Sequence, residues 1–298
     1  MKVFVTGASG FIGTAVVSEL VGLGHEVVGL ARSEESAAKI KSLNPAVKIL
    51  RGELKDLDTL KKGAAESEGV IHLGFVHDFT KFDECCEIDR QATMAMLESL
   101  KGTNRPFIYT SGTFGLRPGK VGYEEDANDE EYKNPRTLTE EAALAYKDKG
   151  VSVRCVRLPP SVHGKGDKAF VPMLMNIAKT AGESGYVGDG QNVWPTVHRL
   201  DAAHLFRLVL EKGRSGRAYH GVAEQGIPLK DIAQVIGEVL NVPTVSIPVN
   251  NVGKHFGMMA LFIARNGPTS SEATRKELGW EPQQLGLLED IRTNYQPN

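Results

Sequence analysis

Short runs of apolar, mostly β-branched residues alternate with amphipathic stretches over the first 160 residues. Runs such as Val27-Val28-Gly29-Leu30 and Val70-Ile71-His72-Leu73 are nearly continuous in apolar residues, which is typical of parallel strands buried on both faces. The stretches between them repeat their apolar residues with helical spacing. The pattern predicts six strands, which are Lys2 to Thr6, Glu26 to Ala31, Lys48 to Leu50, Gly69 to Leu73, Phe107 to Ser111 and Ser152 to Arg157.

This alternation of strand and helix predicts a fold of the α/β class. Parallel strands joined by right-handed helical crossovers build a doubly wound parallel sheet. Gly24 and Gly63 lie where helix C-caps are expected, since glycine tolerates the left-handed backbone that ends many helices. We therefore expect residues 1–160 to form one doubly wound domain.

The rhythm breaks after Pro159-Pro160. The stretch from Gly182 to Asn192 is rich in glycine and polar residues, which is typical of a surface loop beside a cleft. Further elements are predicted, namely helices at Asp201 to Lys212 and Leu229 to Leu240, a short strand at Thr244 to Ile247 and a helical tail from Ser270 to Gly279. We expect residues 161–298 to form mainly a smaller, discontinuous cap, with some segments returning to the sheet.

Composition and charge narrow the classes of partner. The chain has 298 residues, 41% of them hydrophobic, and a formal charge of -2 without a basic cluster, which makes nucleic acid and membrane surfaces poor partners. We find no run of about 18 apolar residues and no secretory leader. The three cysteines, Cys85, Cys86 and Cys155, predict neither a disulfide framework nor a metal site. We expect a soluble, cytoplasmic protein and leave a homodimer open.

Three glycines follow the first predicted strand and open the first helix. Gly7, Gly10 and Gly13 are spaced G-x-x-G-x-x-G. Glycines at such places permit a tight turn and let the backbone approach a pyrophosphate, which the amides at the helix N-terminus attract. In this context the motif predicts a dinucleotide-binding Rossmann fold. The residues expected to contact the cofactor here are Gly7, Ser9, Gly10, Phe11, Ile12 and Gly13.

The end of the second strand bears on which dinucleotide binds. Arg32 and Ser33 stand there, 19 residues beyond Gly13, where an NAD site usually carries a carboxylate for the ribose hydroxyls. A guanidinium can bind a 2′-phosphate in a bidentate way, whereas a carboxylate would repel it. The sequence thus predicts NADP(H) rather than NAD(H). The alternative is a solvated Arg32 that Glu34 or Glu35 engages.

Further motifs make the chain resemble the extended or atypical short-chain dehydrogenase/reductases, in the NAD-dependent epimerase/dehydratase group. They are Thr6 to Gly13, Gly52-Glu53-Leu54, Val70 to Gly74, Tyr109-Thr110-Ser111, Arg157 to Gly164 and Val197 to Ala203. The resemblance implies that residues at the strand ends line the cofactor. Those implied are Glu53 and Leu54 beside the adenine, Leu73, Gly74, Phe75 and Ser111 along the cofactor, and Pro159 to Val162 beside the nicotinamide.

Members of this family normally use a Tyr-x-x-x-Lys pair with a serine or threonine after the fifth strand, and the chain departs from that pattern. Counting back from Arg157, the best match to the pair is Arg136 and Glu140, so that an arginine replaces the tyrosine and a glutamate replaces the lysine. The hydroxyl position falls on Gly112, with Thr113 next to it. This departure removes the residues of the usual proton transfer and leaves the cofactor-binding motif unchanged.

Two interpretations of Arg136 remain. Arg136 and Glu140 can form an ordinary i, i+4 ion pair on a helix surface. Alternatively, Arg136 polarises a substrate oxygen, with Ser111 or Thr113 hydrogen-bonding to it, but it cannot donate a proton because its pKa exceeds about 12. His163 is then a candidate proton donor.

Other residues are assigned lesser roles. Tyr123 and Tyr132 are further candidate donors, although the acidic stretch Glu124 to Glu131 around them is more typical of a solvated loop. His198 is expected to support the cap. Trp194 and Pro195 are expected to wall the substrate pocket.

The sequence therefore predicts an NADP(H)-dependent oxidoreductase that reduces a carbonyl or similar C=X bond of a small, partly apolar substrate. One alternative is a non-catalytic NADP(H)-binding sensor that regulates a partner. A weaker alternative is a nucleotide-sugar epimerase or dehydratase, because that chemistry depends on the missing tyrosine and lysine.

Overall fold

A central parallel sheet organises the computed structural model, which describes residues 1–295 except for the side chains of Phe79 and Tyr132. The strands are β1 (Lys2–Thr6), β2 (Glu26–Ala31), β3 (Lys48–Arg51), β4 (Gly69–His72), β5 (Pro106–Gly112), β6 (Ser152–Leu158), β7 (Ser161–His163), β8 (Ser184–Val187), β9 (Val193–His198), β10 (Arg217–His220), β11 (Glu224–Pro228) and β12 (Thr244–Ile247).

The helices lie between and after these strands. They are α1 (Phe11–Gly22), α2 (Glu34–Leu43), α3 (Leu57–Ala65), α4 (Phe82–Ser99), α5 (Pro135–Leu144), α6 (Phe170–Ala181), α7 (Arg199–Lys212), α8 (Leu229–Leu240), α9 (Val252–Phe256), α10 (Ala260–Ile263), α11 (Glu272–Leu278) and α12 (Leu287–Asn294). No helix within residues 1–295 is both long and apolar enough to span a bilayer.

The seven-stranded sheet has the order β10-β6-β5-β4-β1-β2-β3, and every pair in it is parallel. This confirms the predicted doubly wound α/β fold, and the order reverses between β1 and β4. Ligands of such sheets bind at the carboxyl ends of the strands beside that reversal. Thus the sheet brings the ends of β1, β2, β4 and β5 together.

Apolar residues cover both faces of the sheet. Val16 and Leu20 of α1 pack with Phe206 of α7 on one face, whereas Met96 of α4 packs with Phe4 on the other. Burial of such side chains, at roughly 1.5–3 kcal/mol each, is the main stabilising contribution to the domain. β10 joins the sheet beside β6 although it follows the cap strands in sequence.

The cap has a core of its own, which includes Val171, Trp194, Ile236 and Leu287. Its two small sheets are β11-β9-β7 and β12-β8. The prediction of a surface loop from Gly182 to Asn192 is wrong in part, because Ser184–Val187 forms β8, which pairs in parallel with β12. The prediction that Gly63 caps a helix is also wrong, because it lies inside α3.

Candidate active site

The glycine motif forms the turn between β1 and α1. Gly7 has a φ of +67°, and a Cβ there would lie 2.8 Å from the backbone nitrogen of Gly74. A Cβ at Gly13 would lie 2.0 Å from the carbonyl oxygen of Gly7. Gly10 is the N-cap of α1, and in the described part of the chain no side chain caps this helix. The first-turn amides of α1 therefore face a cradle that only glycines can form.

The segment after β4 is fixed against this turn. The Thr6 hydroxyl oxygen accepts a hydrogen bond from the backbone nitrogen of Gly74 at 3.0 Å. Leu54 also reaches this point, because a Cβ at Gly74 would lie 2.8 Å from its Cδ2. Thus the structure brings Leu54 and Gly74, both predicted to line the cofactor, to the glycine turn. Glu53 is exposed, whereas Leu73 and Phe75 are half-buried.

The ends of β2 and β3 place two arginines side by side. Arg32 is exposed directly after β2, and Ser33 caps α2 by accepting a hydrogen bond from the backbone nitrogen of Ser36 at 3.1 Å. Arg51 ends β3, opposite Ala31, and its Nη2 lies 3.0 Å from Glu34. Glu34 therefore pairs with Arg51. The sequence analysis missed this ion pair because only the pairing of β2 with β3 brings Arg51 close to the start of α2.

Arg136 reaches from α5 to the ends of β4 and β5. Its Nη2 donates to the carbonyl oxygen of Thr110 at 2.5 Å, and its guanidinium lies 4.2 Å from the centre of the Phe75 ring. The ion pair with Glu140, which was one of the two interpretations of Arg136, does not form among the described residues. Glu140 is instead buried and accepts a hydrogen bond from Arg157 Nε at 2.8 Å, and Arg157 Nη2 forms an ion pair with the same oxygen at 2.7 Å.

A buried carboxylate lies near Arg136. Asp89 accepts a hydrogen bond from the Tyr109 hydroxyl at 2.7 Å and lies 3.2 Å from His72 Nε2. Burial raises the pKa of Asp89, but the contact with His72 and the positive charge of Arg136 outweigh it and hold that pKa below its ordinary value. Asp89 is thus a negative charge that helps to offset a cation held at the cleft.

The same electrostatics act on the arginine and the tyrosine. Burial lowers the pKa of Arg136, yet nearby negative charge, including that of Asp89, raises it above its ordinary value. Burial is also the main reason why the pKa of Tyr109 is raised well above its ordinary value. Arg136 therefore stays charged and Tyr109 stays protonated at neutral pH.

His77 is a further titratable group beside Arg136 that the sequence analysis missed. Its ring meets Phe75 edge-on, with 5.2 Å between the ring centres. His77 keeps an exposed face, but partial desolvation of its ring by the surrounding chain and the nearby charge of Arg136 hold the pKa of His77 below its ordinary value. No recognised motif includes this position, and only the contact of the loop after β4 with α5 shows its location.

A very small cavity of about 10 Å³ lies beside the end of β5. Thr113, which is buried, lines it together with Phe114 and the predicted wall residues Trp194 and Pro195. Ser111 is buried at the end of β5.

An aromatic cluster continues this wall into the cap. Ring centres are 5.4 Å apart for Phe114 and Phe262, 4.9 Å for Phe262 and Phe170, and 5.6 Å for Phe170 and Trp194. Arg265 also lines the pocket, and it donates hydrogen bonds to the carbonyl oxygens of Phe114 and Leu116. The segment that carries Phe262 and Arg265 contains no motif, so its location beside the pocket could not be predicted from the sequence.

The histidines at the cap lie deeper. His163 is buried, its Nδ1 lies 2.7 Å from Asp290, and its ring centre is 5.4 Å from that of His198. His198 caps α7 by accepting a hydrogen bond from the backbone nitrogen of Leu200 at 3.2 Å. The contacts of these two histidines therefore link β7 to α7 and α12.

The remaining predicted residues are spread along the same side of the sheet. Pro159 is buried and Val162 half-buried between β6 and the end of β7. Tyr123 is exposed, and the side chain of Tyr132 lies outside the described residues. The stretch from Glu124 is less solvated than predicted, because Glu124 is buried and accepts a hydrogen bond from the backbone nitrogen of Thr274 at 2.7 Å.

Comparison with known proteins gives matches over the whole chain. A Saccharomyces cerevisiae protein described as the uncharacterized protein YLL056C is 72% identical over 298 residues, which is 100% of both chains. The Schizosaccharomyces pombe protein C2A9.02, also described as uncharacterized, is 48% identical over 99% of both chains. The 4-hydroxy-2-methyl-3-oxo-4-farnesyl-3,4-dihydroquinoline-1-oxide ketoreductase of Stigmatella aurantiaca is 28% identical over 74% of this chain and 67% of its own.

A family model and solved structures also match. The model for the NAD dependent epimerase/dehydratase family matches residues 3–222. DesIV, a dTDP-glucose 4,6-dehydratase of Streptomyces venezuelae solved with NAD and TYD bound, has a TM-score of 0.78 and 19% identity over 99% of this chain and 95% of its own. The UDP-glucose 4-epimerase of Thermotoga maritima, solved with UDP-glucose, has a TM-score of 0.76 and 19% identity over 99% and 97%. At these identities the likeness shows the fold alone.

Proposed function

The chain belongs to the NAD dependent epimerase/dehydratase family, and from this we propose that it is an NADP(H)-dependent oxidoreductase that reduces a carbonyl or similar C=X bond of a small, partly apolar substrate. The observation that carries the proposal is the position of Arg136. Counting back from Arg157 aligns Arg136 with the family's tyrosine. The Arg136 guanidinium lies at the ends of β4 and β5, bonded to the carbonyl oxygen of Thr110 and stacked on Phe75.

The residues of the glycine turn fit a dinucleotide. Side chains at Gly7 or Gly13 would collide with backbone atoms, so the motif keeps open a cradle whose amides suit a pyrophosphate. Arg32 and Ser33 at the start of α2 would hold the 2′-phosphate, which favours NADP(H) over NAD(H). Leu54, Leu73 and the other strand-end residues would line the cofactor. When bound, the cofactor supplies the hydride.

The protein's own part in the reaction is electrostatic. A carbonyl oxygen gains negative charge as its carbon is reduced, and a fixed guanidinium stabilises that charge. The Arg136 guanidinium is held by the carbonyl oxygen of Thr110, and Asp89 nearby offsets its charge. Arginine does not release its proton, so the proton for the substrate oxygen must come from another group.

The wall beside Thr113 supports a substrate with an apolar part, because the aromatic rings of Phe114 and Trp194 form much of it. The cavity itself measures only about 10 Å³, which is room for about one water molecule, so a substrate would bind here only if the surrounding side chains moved. A nucleotide sugar is a weaker candidate because Glu140, at the position of the family's lysine, is buried against Arg157.

The proposal is tested by following NADPH consumption with a panel of apolar aldehydes and ketones. We expect turnover in the wild type and a loss of at least about tenfold in kcat for Arg136→Ala, because one preorganised donor is removed. Arg90→Ala is the control, since Arg90 pairs with Glu87 on the exposed side of α4. If Arg136→Ala turned over as fast as the wild type, the polarising role would be wrong.

A non-catalytic NADP(H) sensor is the second candidate. It is favoured by the burial of Glu140 in its ion pair with Arg157, which leaves the lysine position of α5 without an ammonium group. Tight NADPH binding without turnover of any compound in the panel would support the sensor and contradict the enzyme.

A further inference from the structure

Arg199 is the first residue of α7, yet its guanidinium lies against the first turn of α1. Its Nη1 is 3.4 Å from the carbonyl oxygen of Phe11, and its guanidinium carbon is 5.2 Å from the centre of the Phe11 ring. Phe11 follows Gly10, the N-cap of α1. A second element, remote in sequence from the glycine motif, therefore brings a positive charge to the glycine turn.

The position of Arg199 is fixed by its surroundings. His198 caps α7 through the backbone nitrogen of Leu200, which sets the direction in which the helix begins. Gly164 packs closely on the arginine stem, since a Cβ there would lie 3.2 Å from Cγ of Arg199 and 2.8 Å from Nε2 of His198. The side chain is half-buried between α1 and the segment after β7.

The charges around Arg199 are unbalanced. The N-terminus of α1 carries a partial positive charge, and its first turn contains no acidic residue. Within residues 1–295 no carboxylate oxygen lies within 4 Å of the Arg199 side-chain nitrogens, whereas Arg207 on the same helix pairs with Glu19 at 2.9 Å and Glu211 at 2.7 Å. Arg199, whose Nη1 contacts the carbonyl oxygen of Phe11, thus brings a positive charge without a carboxylate partner beside the N-terminus of α1, where an anion can bind.

We propose that Arg199 binds the pyrophosphate of the cofactor and closes the phosphate site from the side of α7. The inference rests on the proposed function, because it assigns a residue to the dinucleotide site. A planar guanidinium can donate two hydrogen bonds to phosphate oxygens while the α1 amides bind others. The bound cofactor would then tie α7 to the glycine turn.

Two nucleotide fragments separate this role from that of Arg32. 2′-Phospho-ADP-ribose contains the pyrophosphate, whereas adenosine 2′-monophosphate contains only the phosphate expected at Arg32. Calorimetry with the full chain should show that Arg199→Gln weakens binding of 2′-phospho-ADP-ribose by at least about tenfold, the usual range for a lost hydrogen bond to a charged group. Binding of adenosine 2′-monophosphate should change by less than about twofold, because that fragment makes no such bond. Arg207→Gln, two turns along α7, should leave both affinities unchanged.

The outcomes are distinct. Equal binding of 2′-phospho-ADP-ribose by wild type and Arg199→Gln would overturn the inference alone, and so would an equal loss for both fragments. No binding of either fragment or of NADP+ by the wild type would overturn the proposed function as well. If circular dichroism shows that the Arg199→Gln variant is unfolded, the same measurement is made with Arg199→Lys. It should bind 2′-phospho-ADP-ribose more weakly than the wild type, because an ammonium cannot form the bidentate contact.

Discussion

Arg136 and Glu140 are one helical turn apart on α5, and their side chains engage different parts of the protein. Arg136 bonds to the backbone of β5 at Thr110, whereas Glu140 is buried against Arg157 of β6. The sequence could identify both as replacements of the usual pair, but it could not choose between mutual pairing and separate partners. The choice depends on Arg157, which only the packing of α5 on β6 brings within reach.

Arg32 offers the most direct test of cofactor preference at the level of one residue. Within the described residues Glu34 pairs with Arg51, which leaves the position after β2 to Arg32 and Ser33. Arg32→Asp should weaken NADP+ binding by roughly 10- to 100-fold, because it removes charge-assisted hydrogen bonds and adds repulsion. Titration with NADP+ and NAD+ measures the change.

NAD+ binding should change much less in this variant, since NAD+ has no 2′-phosphate. Arg90→Asp on α4 is the control for a general effect of charge. Unchanged affinity of Arg32→Asp for NADP+ would contradict the assignment of the 2′-phosphate site.

At the scale of elements, the six strands predicted from apolar runs agree with β1 to β6 to within one residue at either end. Buried parallel strands show this pattern because both of their faces are covered. Two errors have a common cause. The strand β8 was missed because its partner strand β12 is remote in sequence. Gly63 was wrongly predicted to cap a helix because the residue that leaves no room for a side chain there, Phe4 of β1, is also remote in sequence.

Gly63 gives a prediction for the packing of α3 on the sheet. A Cβ at Gly63 would lie 2.6 to 2.8 Å from ring atoms of Phe4, so Gly63→Ala must push the helix or the ring aside. We expect a loss of about 1–3 kcal/mol in the free energy of unfolding, as for other overpacked cores, measured by urea denaturation.

Gly22, the last residue of α1, is the matched control because no atom lies within 4 Å of a Cβ built there. Gly22→Ala should be neutral or slightly stabilising, by up to ~1 kcal/mol, since alanine favours helices. If both variants had the same stability, the close contact between Gly63 and Phe4 would not matter for packing.

On the scale of the whole molecule, a buried polar network joins the tail to the sheet. His220 ends β10, and its Nδ1 donates to the carbonyl oxygen of Ser270 at 2.7 Å. Its Nε2 lies 3.4 Å from Arg157 Nη1, and Arg157 holds Glu140. Nothing in the spacing of Arg157 and His220 along the sequence indicates that α5, β6, β10 and the segment before α11 meet at one point.

This network makes stability depend on pH in a defined direction. Burial, aided by the charge of Arg157, lowers the pKa of His220 from 6.5 to about 3, so the ring is neutral in the folded protein. The unfolded chain takes up the proton first as the pH falls below about 6.5. Folding stability from this residue is therefore present above pH 6.5 and declines between pH 6.5 and 3, by up to ~1.4 kcal/mol per pH unit.

Urea denaturation at several pH values measures the effect. In His220→Gln the decline with falling pH should be shallower than in the wild type, because the variant has no imidazole to protonate on unfolding. His204→Gln is the control, since His204 is more exposed and lies beside Glu19 on the outer side of α7. The same acid slope in His220→Gln and in the wild type would mean that other buried groups set the acid limit. A shallower slope only in His220→Gln would show that the junction of tail and sheet sets it, because protonated His220 would face Arg157 in the folded state.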